Sequence, residues 1–123
     1  DLHLEDSPDT ASLQHIHLVG SILHYVEQNL SEKLFLQDIA EKYNYSVTYI
    51  SKLFKNVTGS SLVSYIIEKR IARARQLMYE DLEITEIAER VGYHNYSNFY
   101  KAFKKAVGIS PEEYRRQLNT FGK

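Results

Sequence analysis

One short phrase is written twice in this chain, and the repeat limits the folds available to it. IAEKYNY, with its first residue at Ile39, lies over IAERVGY, which starts at Ile87. One extra residue then enters the second copy's turn. Beyond it Lys52, Phe54, Lys55, Gly59, Ser61 and Tyr65 fall over Lys101, Phe103, Lys104, Gly108, Ser110 and Tyr114. Shared apolar positions alone would say little, since any two amphipathic helices share them. Here the turn residue, the helix cap and the terminating Gly agree as well, and the single insertion sits in a turn. The pattern describes a duplicated helix–turn–helix–turn unit.

The flanking stretches carry the same helical period. Leu13 to Leu30 places Leu13, Ile16, Val19, Leu23, Val26 and Leu30 on one stripe, in alternating steps of three and four. Leu36 to Tyr43 is a short helix with Leu36, Ile39 and Ala40 inward. Asn44 follows, where the chain leaves the helix through a left-handed residue. Ser46 caps the next helix, whose Ile50, Leu53, Phe54 and Val57 turn inward before Gly59 stops it. Ser61 to Tyr79 is the longest periodic run, with Lys69, Arg70, Arg73 and Arg75 expected on its solvent side. Ile84 to Val91 is the second short helix, Gly92 stands where Asn44 stood, and Asn95 caps as Ser46 does. Phe99, Ala102, Phe103 and Ala106 are the expected inward face of the helix that Gly108 ends. Ser110-Pro111-Glu112-Glu113 is a capping box opening a last helix to about Asn119. No stretch alternates like a strand, so the chain reads as all-α.

Composition narrows the partners. At 123 residues the chain is one domain, or two very small ones. It has no cysteine, which excludes disulfides and thiolate zinc sites. No apolar run is long enough to span a bilayer, and no signal-peptide pattern opens the chain; a cytoplasmic protein with no membrane partner is expected. The net charge of −1 is unevenly spread. Asp1, Glu5, Asp6 and Asp9 load a polar start over 1–11, read as a flexible acidic linker or tail. Without these four acids, 15 Lys and Arg stand against 12 acids. Phosphate attraction acts over roughly 10 Å at moderate salt, so placement matters more than the total.

The placement is specific. With the apolar side of each repeated helix turned inward, Thr48, Ser51, Lys52 and Lys55 face out on the first. Ser97, Tyr100, Lys101 and Lys104 face out on the second, and neither helix holds an Asp or Glu. Short hydroxyl side chains permit close approach to base edges. Lys reaches guanine O6/N7 or phosphate, and no carboxylate is there to be repelled. The early turns of a helix in the major groove face bases and the later residues meet the backbone. Thr48, Ser51, Lys52, Ser97 and Lys101 are therefore base-reading candidates, with Tyr96, Asn98 and Tyr100 flanking them. Lys55, Lys104 and Lys105 are phosphate candidates. Any single exposed Lys is more often merely solubilising; the inference rests on two equivalent faces taken together. A linker helix of about eighteen residues spans roughly 27 Å at 1.5 Å per residue. With its flanking turns it suits reading heads one helical turn of B-DNA apart, about 34 Å.

Other chemistries find no support in the residues. His15, His17 and His24 share a helix but lack a carboxylate partner at metal-binding spacing, so surface or half-buried roles are expected. No nucleophile–base arrangement and no Gly-rich phosphate loop is present. No enzyme activity, catalytic residue, metal or cofactor is expected. Tyr65 and Tyr114 hold equivalent places and are expected to anchor helices in the core. Arg70 either meets phosphate or braces the linker helix through an ion pair, the second being favoured.

The runs IAEKYNYSVTYISKLFKNVTGSS, YIIEKRIARARQLM and IAERVGYHNYSNFYKAFKKAVGISPEEYRR resemble the C-terminal DNA-binding domain of the AraC/XylS family of bacterial transcription regulators. The resemblance covers roughly Ile16 to Gln117. Its most specific part is the ordered set Ile-Ala, Val-Gly-Tyr, Phe-x-x-x-Phe-Lys-Lys and Gly-Ile-Ser-Pro. It implies seven helices, two helix-turn-helix units joined by a long linker helix, and binding in successive major grooves. It also implies base contacts from Thr48, Ser51 and Lys52, then from Tyr96, Ser97, Asn98 and Lys101. Read from the residues, Tyr100 joins Lys55, Lys104 and Lys105 on the backbone side, and for Tyr96 and Tyr100 packing against the protein is an equal alternative to touching the DNA. Where members often carry Arg, this chain has Lys52 and Lys101, which are point charges rather than bidentate forks. Where a Ser or Thr commonly caps the first helix of each unit, it has Phe35 and Glu83, so weak caps are expected.

The expected organisation is an acidic tail over 1–11, a first helix-turn-helix subdomain over 12–60, a linker helix over 61–80, a second subdomain over 81–120 and a tail over 121–123. The expected function is sequence-specific binding of double-stranded DNA in a transcription regulator, an activator that also meets RNA polymerase. A sensor or receiver domain is expected ahead of it. The competing reading is a helical protein-interaction module, which leaves the twice-placed acid-free face unexplained.

Overall fold

The computed structural model describes residues 12–121; the acidic segment over 1–11 and the last two residues lie outside them. The described residues form seven helices and no strand. These are α1 (Leu13–Gln28), α2 (Leu36–Lys42), α3 (Val47–Thr58), α4 (Leu62–Leu77), α5 (Ile84–Arg90), α6 (Tyr96–Val107) and α7 (Pro111–Phe121). They divide into two compact units. One comprises residues up to Asn29 with Leu34–Ile66; the other comprises Leu30–Lys33 with the chain from Ile67 onward. The division falls within α4, whose 16 residues span roughly 24 Å. α7 runs two residues past its expected end.

In the first unit α1 and α2 both pack on α3. Ser12 caps α1, its hydroxyl accepting from the His15 amide at 3.2 Å. The buried stripe of α1 is His15, Val19, Ile22 and Val26, which corrects the sequence reading in phase. Leu13 is 86 % exposed and Ile16 51 %, whereas Ile22 is fully buried. Phasing from Leu13 had excluded His15 because it is polar, yet it is buried, and its Nε2 lies 3.2 Å from the Tyr49 hydroxyl on α3. The expectation of a surface or half-buried histidine fails there. Tyr43 ties α2 to α1 by donating to the Ser21 carbonyl at 3.2 Å.

In the second unit α5 packs on α6, as α2 does on α3, and α6 packs on α7. Its core is Ile71, Ala74, Met78, Ile87, Ala88, Val91, Phe99 and Phe103. Ala106, expected inward, is exposed, and Val107 packs against the core in its place. Arg70 is also corrected: half-buried rather than solvent-facing, it donates from Nε to the Leu30 carbonyl at 3.2 Å and from Nη2 to the Glu32 carbonyl at 2.7 Å. It braces α4, as favoured, but through backbone carbonyls rather than an ion pair. Arg115 does similar work on the α4–α5 connection, donating to the carbonyls of Leu82, Met78 and Glu80.

The repeat is exact enough to compare bond by bond. The Tyr45 amide donates to the Ala40 carbonyl at 2.9 Å, and the Tyr93 amide to the Ala88 carbonyl at the same distance. Asn44 (φ 65°) and Gly92 (φ 102°) take the left-handed conformation that reverses the chain after α2 and α5. Phe54 meets Tyr65 with ring centroids 5.7 Å apart, and Phe103 meets Tyr114 at 5.5 Å. Ser61 and Ser110 each accept an amide three residues on, from Ser64 and Glu113, at 3.1 Å. The Glu113 carboxylate itself turns to Arg116 and Gln117, so Ser110 supplies the amide-capping arm of the expected box.

Candidate nucleic-acid interface

α3 and α6 are held by the same three devices. Each opens on a side-chain cap: Ser46 accepts from the Tyr49 amide at 3.1 Å and Asn95 from the Asn98 amide at 3.0 Å. Each closes on a left-handed glycine, Gly59 or Gly108, whose amide returns to the carbonyl of Lys55 or Lys104 at 2.8 Å. Each is anchored by buried residues, Ile50, Leu53 and Phe54 on α3 and Phe99 and Phe103 on α6. Burying a side chain of this size stabilises the fold by about 1.5–3 kcal/mol. The helices that precede them lack comparable caps, since neither Phe35 nor Glu83 makes a side-chain cap bond.

Anchoring one face fixes the other. On α3, Thr48, Lys52 and Lys55 are exposed and Ser51 is half-buried; on α6, Ser97, Asn98, Lys101, Lys104 and Lys105 are exposed and Tyr100 is half-buried. Neither helix contains an acidic residue. The structure therefore brings the predicted polar and basic residues together on one side of each helix.

Tyr96 is placed differently. It is half-buried, its ring lies 6.0 Å from Phe99 and 6.4 Å from Tyr100, and its hydroxyl donates to the Glu112 carboxylate of α7. Burial, that bond and the Glu112 charge all push its pKa up. The sequence signal for this role was Glu112 in the first turn of α7.

Beside α6 the second unit has a surface concavity lined by residues of α4, of the α5–α6 turn and of α6. Arg70, His94, Asn98, Lys101 and Lys105 carry its polar side, and no carboxylate lines it. The Arg70 guanidinium lies 5.6 Å from the centre of the Tyr93 ring. Burial lowers the Arg70 pKa and raises that of Tyr93, and the pairing of the two partly offsets both shifts. The sequence reading passed over Tyr93.

A helix-turn-helix domain family model matches residues 39–117, from the start of the first repeated phrase into α7. The chain belongs to the AraC/XylS family. It is the DNA-binding helix-turn-helix domain of a transcription regulator. Among AraC/XylS relatives, the HTH-type transcriptional regulator YdiP of Escherichia coli is 39 % identical over 82 % of this chain and 34 % of its own length. The chain thus spans about a third of that relative. The HTH-type transcriptional activator AarP of Providencia stuartii is 33 % identical over 80 % of this chain and 73 % of its own. The C-terminal domain of AraT, a response regulator from Geobacillus stearothermophilus, superposes with a TM-score of 0.79 at 38 % identity. That match covers 81 % of this chain and 84 % of the solved one. No described helix is long and apolar enough to cross a membrane.

Proposed function

We propose that α3 and α6 are two reading heads that enter successive major grooves of a double-stranded DNA site. Thr48, Ser51 and Lys52 read bases from the first, and Ser97, Asn98 and Lys101 from the second. Lys55, Tyr100, Lys104 and Lys105 hold the flanking backbone. Tyr96, at the start of the second head, joins the base readers while its hydroxyl donates to Glu112. The observation that carries this reading is the twofold occurrence of one acid-free, Lys-bearing face, each copy fixed by a side-chain cap and a left-handed glycine. Backbone contacts of this kind release counterions, so affinity falls steeply as salt rises.

The parent protein is, on this reading, a cytoplasmic activator that meets RNA polymerase and carries a sensor or receiver domain ahead of α1. AarP, a transcriptional activator, and AraT, a response regulator, support the activator and receiver parts of that assignment. Selection from random duplexes followed by footprinting tests the central claim. The expected footprint protects one face of the duplex over two adjacent major grooves. Failure to enrich any sequence overturns specific reading, and a footprint of a single groove overturns the two-headed arrangement.

A further inference from the structure

The two units differ most where their repeats ought to match. In the first, α3 carries Tyr49 and the fully buried Leu53. Tyr49 stacks on Tyr45 with centroids 4.6 Å apart and planes within 9°, and its hydroxyl meets His15. The equivalent residues of the second unit are Asn98 and Ala102, which are shorter and line the concavity described above. Its surroundings have changed in sign as well as size. Asn56 of the first unit is replaced by Lys105, and the one residue inserted into the second turn is His94, exposed at the edge of the opening. Arg70, Lys101 and Lys105 share the lining with His94.

We propose that this concavity seats a backbone phosphodiester of the DNA, and that His94 takes up a proton when the phosphate arrives. The proposal rests on the DNA-reading assignment and adds a ligand for the one turn residue that assignment leaves idle. Asn98 and Lys101 belong both to the lining and to the outward face of α6, so a strand flanking the groove that α6 reads passes the opening.

The charges fix the direction of the coupling. In the free protein the titratable groups lining the site with His94 are Arg70 on α4, Tyr93 in the turn, and Lys101 and Lys105 on α6. A phosphate seated among these groups brings a negative charge beside the imidazole and favours the imidazolium. Histidine is the side chain whose charge changes near neutrality, so the effect falls between about pH 6 and pH 8. Linkage requires that the protonated protein bind DNA more tightly by the same factor. The first unit has no histidine in its turn and supplies no such term.

The experiment uses a duplex selected from a random pool and the described domain in its whole 123-residue chain. Wild-type affinity is expected to rise at least about fivefold from pH 8 to pH 6, the lower end of ordinary coupling. His94→Gln should flatten that rise. His94→Lys should bind at pH 8 as the wild type does at pH 6. By NMR, the titration midpoint of the His94 ring should move up when duplex is added, with His17 and His24 unmoved. An unchanged pH dependence in His94→Gln, or an unmoved midpoint, overturns the proposal while leaving DNA reading intact. Absence of duplex binding at every pH overturns both. Inorganic phosphate alone is expected to move the His94 resonance little. A shift as large as the duplex gives would assign the seat to a free anion and overturn the phosphodiester.

Discussion

Gly92 and Leu30 approach so closely that no side chain fits between them. A Cβ built at Gly92 collides with the Leu30 carbonyl and lies 2.7 Å from Arg70 Nε, the atom that donates to that same carbonyl. At φ 102° the backbone is also one that L-residues rarely adopt. Gly92→Ala should therefore cost about 2–4 kcal/mol in urea unfolding, since strain and a lost buried hydrogen bond combine. Gly59→Ala and Gly108→Ala meet nothing within 4 Å and should cost only the left-handed penalty, about 1–2 kcal/mol. Equal losses at all three positions would contradict the packing described.

Lys52→Ala and Lys101→Ala separate reading from holding. If each contacts a base, specific sites should weaken by about 1–3 kcal/mol while unrelated duplexes change little. Lys55→Ala, Lys104→Ala and Lys105→Ala should instead weaken all sequences alike, each lowering the slope of log affinity against log salt by about 1. Binding titrations over a salt series on two duplexes distinguish the classes.

The missing caps offer a stabilising change. Glu83 already has the extended backbone of a cap residue, φ −65° and ψ 145°, without a side-chain cap bond. Glu83→Ser should raise stability by about 0.5–1 kcal/mol, whereas Ser46→Ala or Asn95→Ala should lower it by about 1 kcal/mol. Thermal unfolding of the three variants gives the signs.

Alkaline pH should act through Tyr65. Its hydroxyl donates to Glu27 at 2.9 Å, and burial, that bond and the Glu27 charge push its pKa up from 10.0 to about 12. The folded state thus holds this proton more tightly than the unfolded chain does. The associated stability is complete below about pH 10 and is lost as pH rises toward 12. Tyr65→Phe should lose less stability than the wild type over that window. Parallel loss in the two proteins would remove Tyr65 as a contributor.

How much of this was legible in the residues depended on what kind of signal each feature leaves. Asn44, Gly92, Gly59 and Gly108 were readable because a left-handed residue restricts chemistry to a few side chains. Ser46 and Asn95 were readable because a cap needs an oxygen at one position. The phase of α1 was not, because Leu13 and Ile16 are apolar yet exposed while His15 is polar yet buried; hydropathy gives the wrong sign at all three. His15 is accommodated by Tyr49, 34 residues away in sequence, and no local pattern announces that. Arg70 was recognised as a brace, but its acceptors are backbone carbonyls, to which sequence is blind. The bond from the Tyr96 hydroxyl to Glu112 on the next helix was likewise beyond any local pattern.

The pairing of α3 with α6 carries a consequence for the site itself. Only Lys52 with Lys101 and Lys55 with Lys104 are identical across the outward faces; Thr48 differs from Ser97, Ser51 from Tyr100 and Asn56 from Lys105. If both faces read DNA as proposed, a reader whose halves are unlike has no palindrome to match. The sequence it selects then has a left and a right, and inverting that sequence points any attached domain the other way along the promoter.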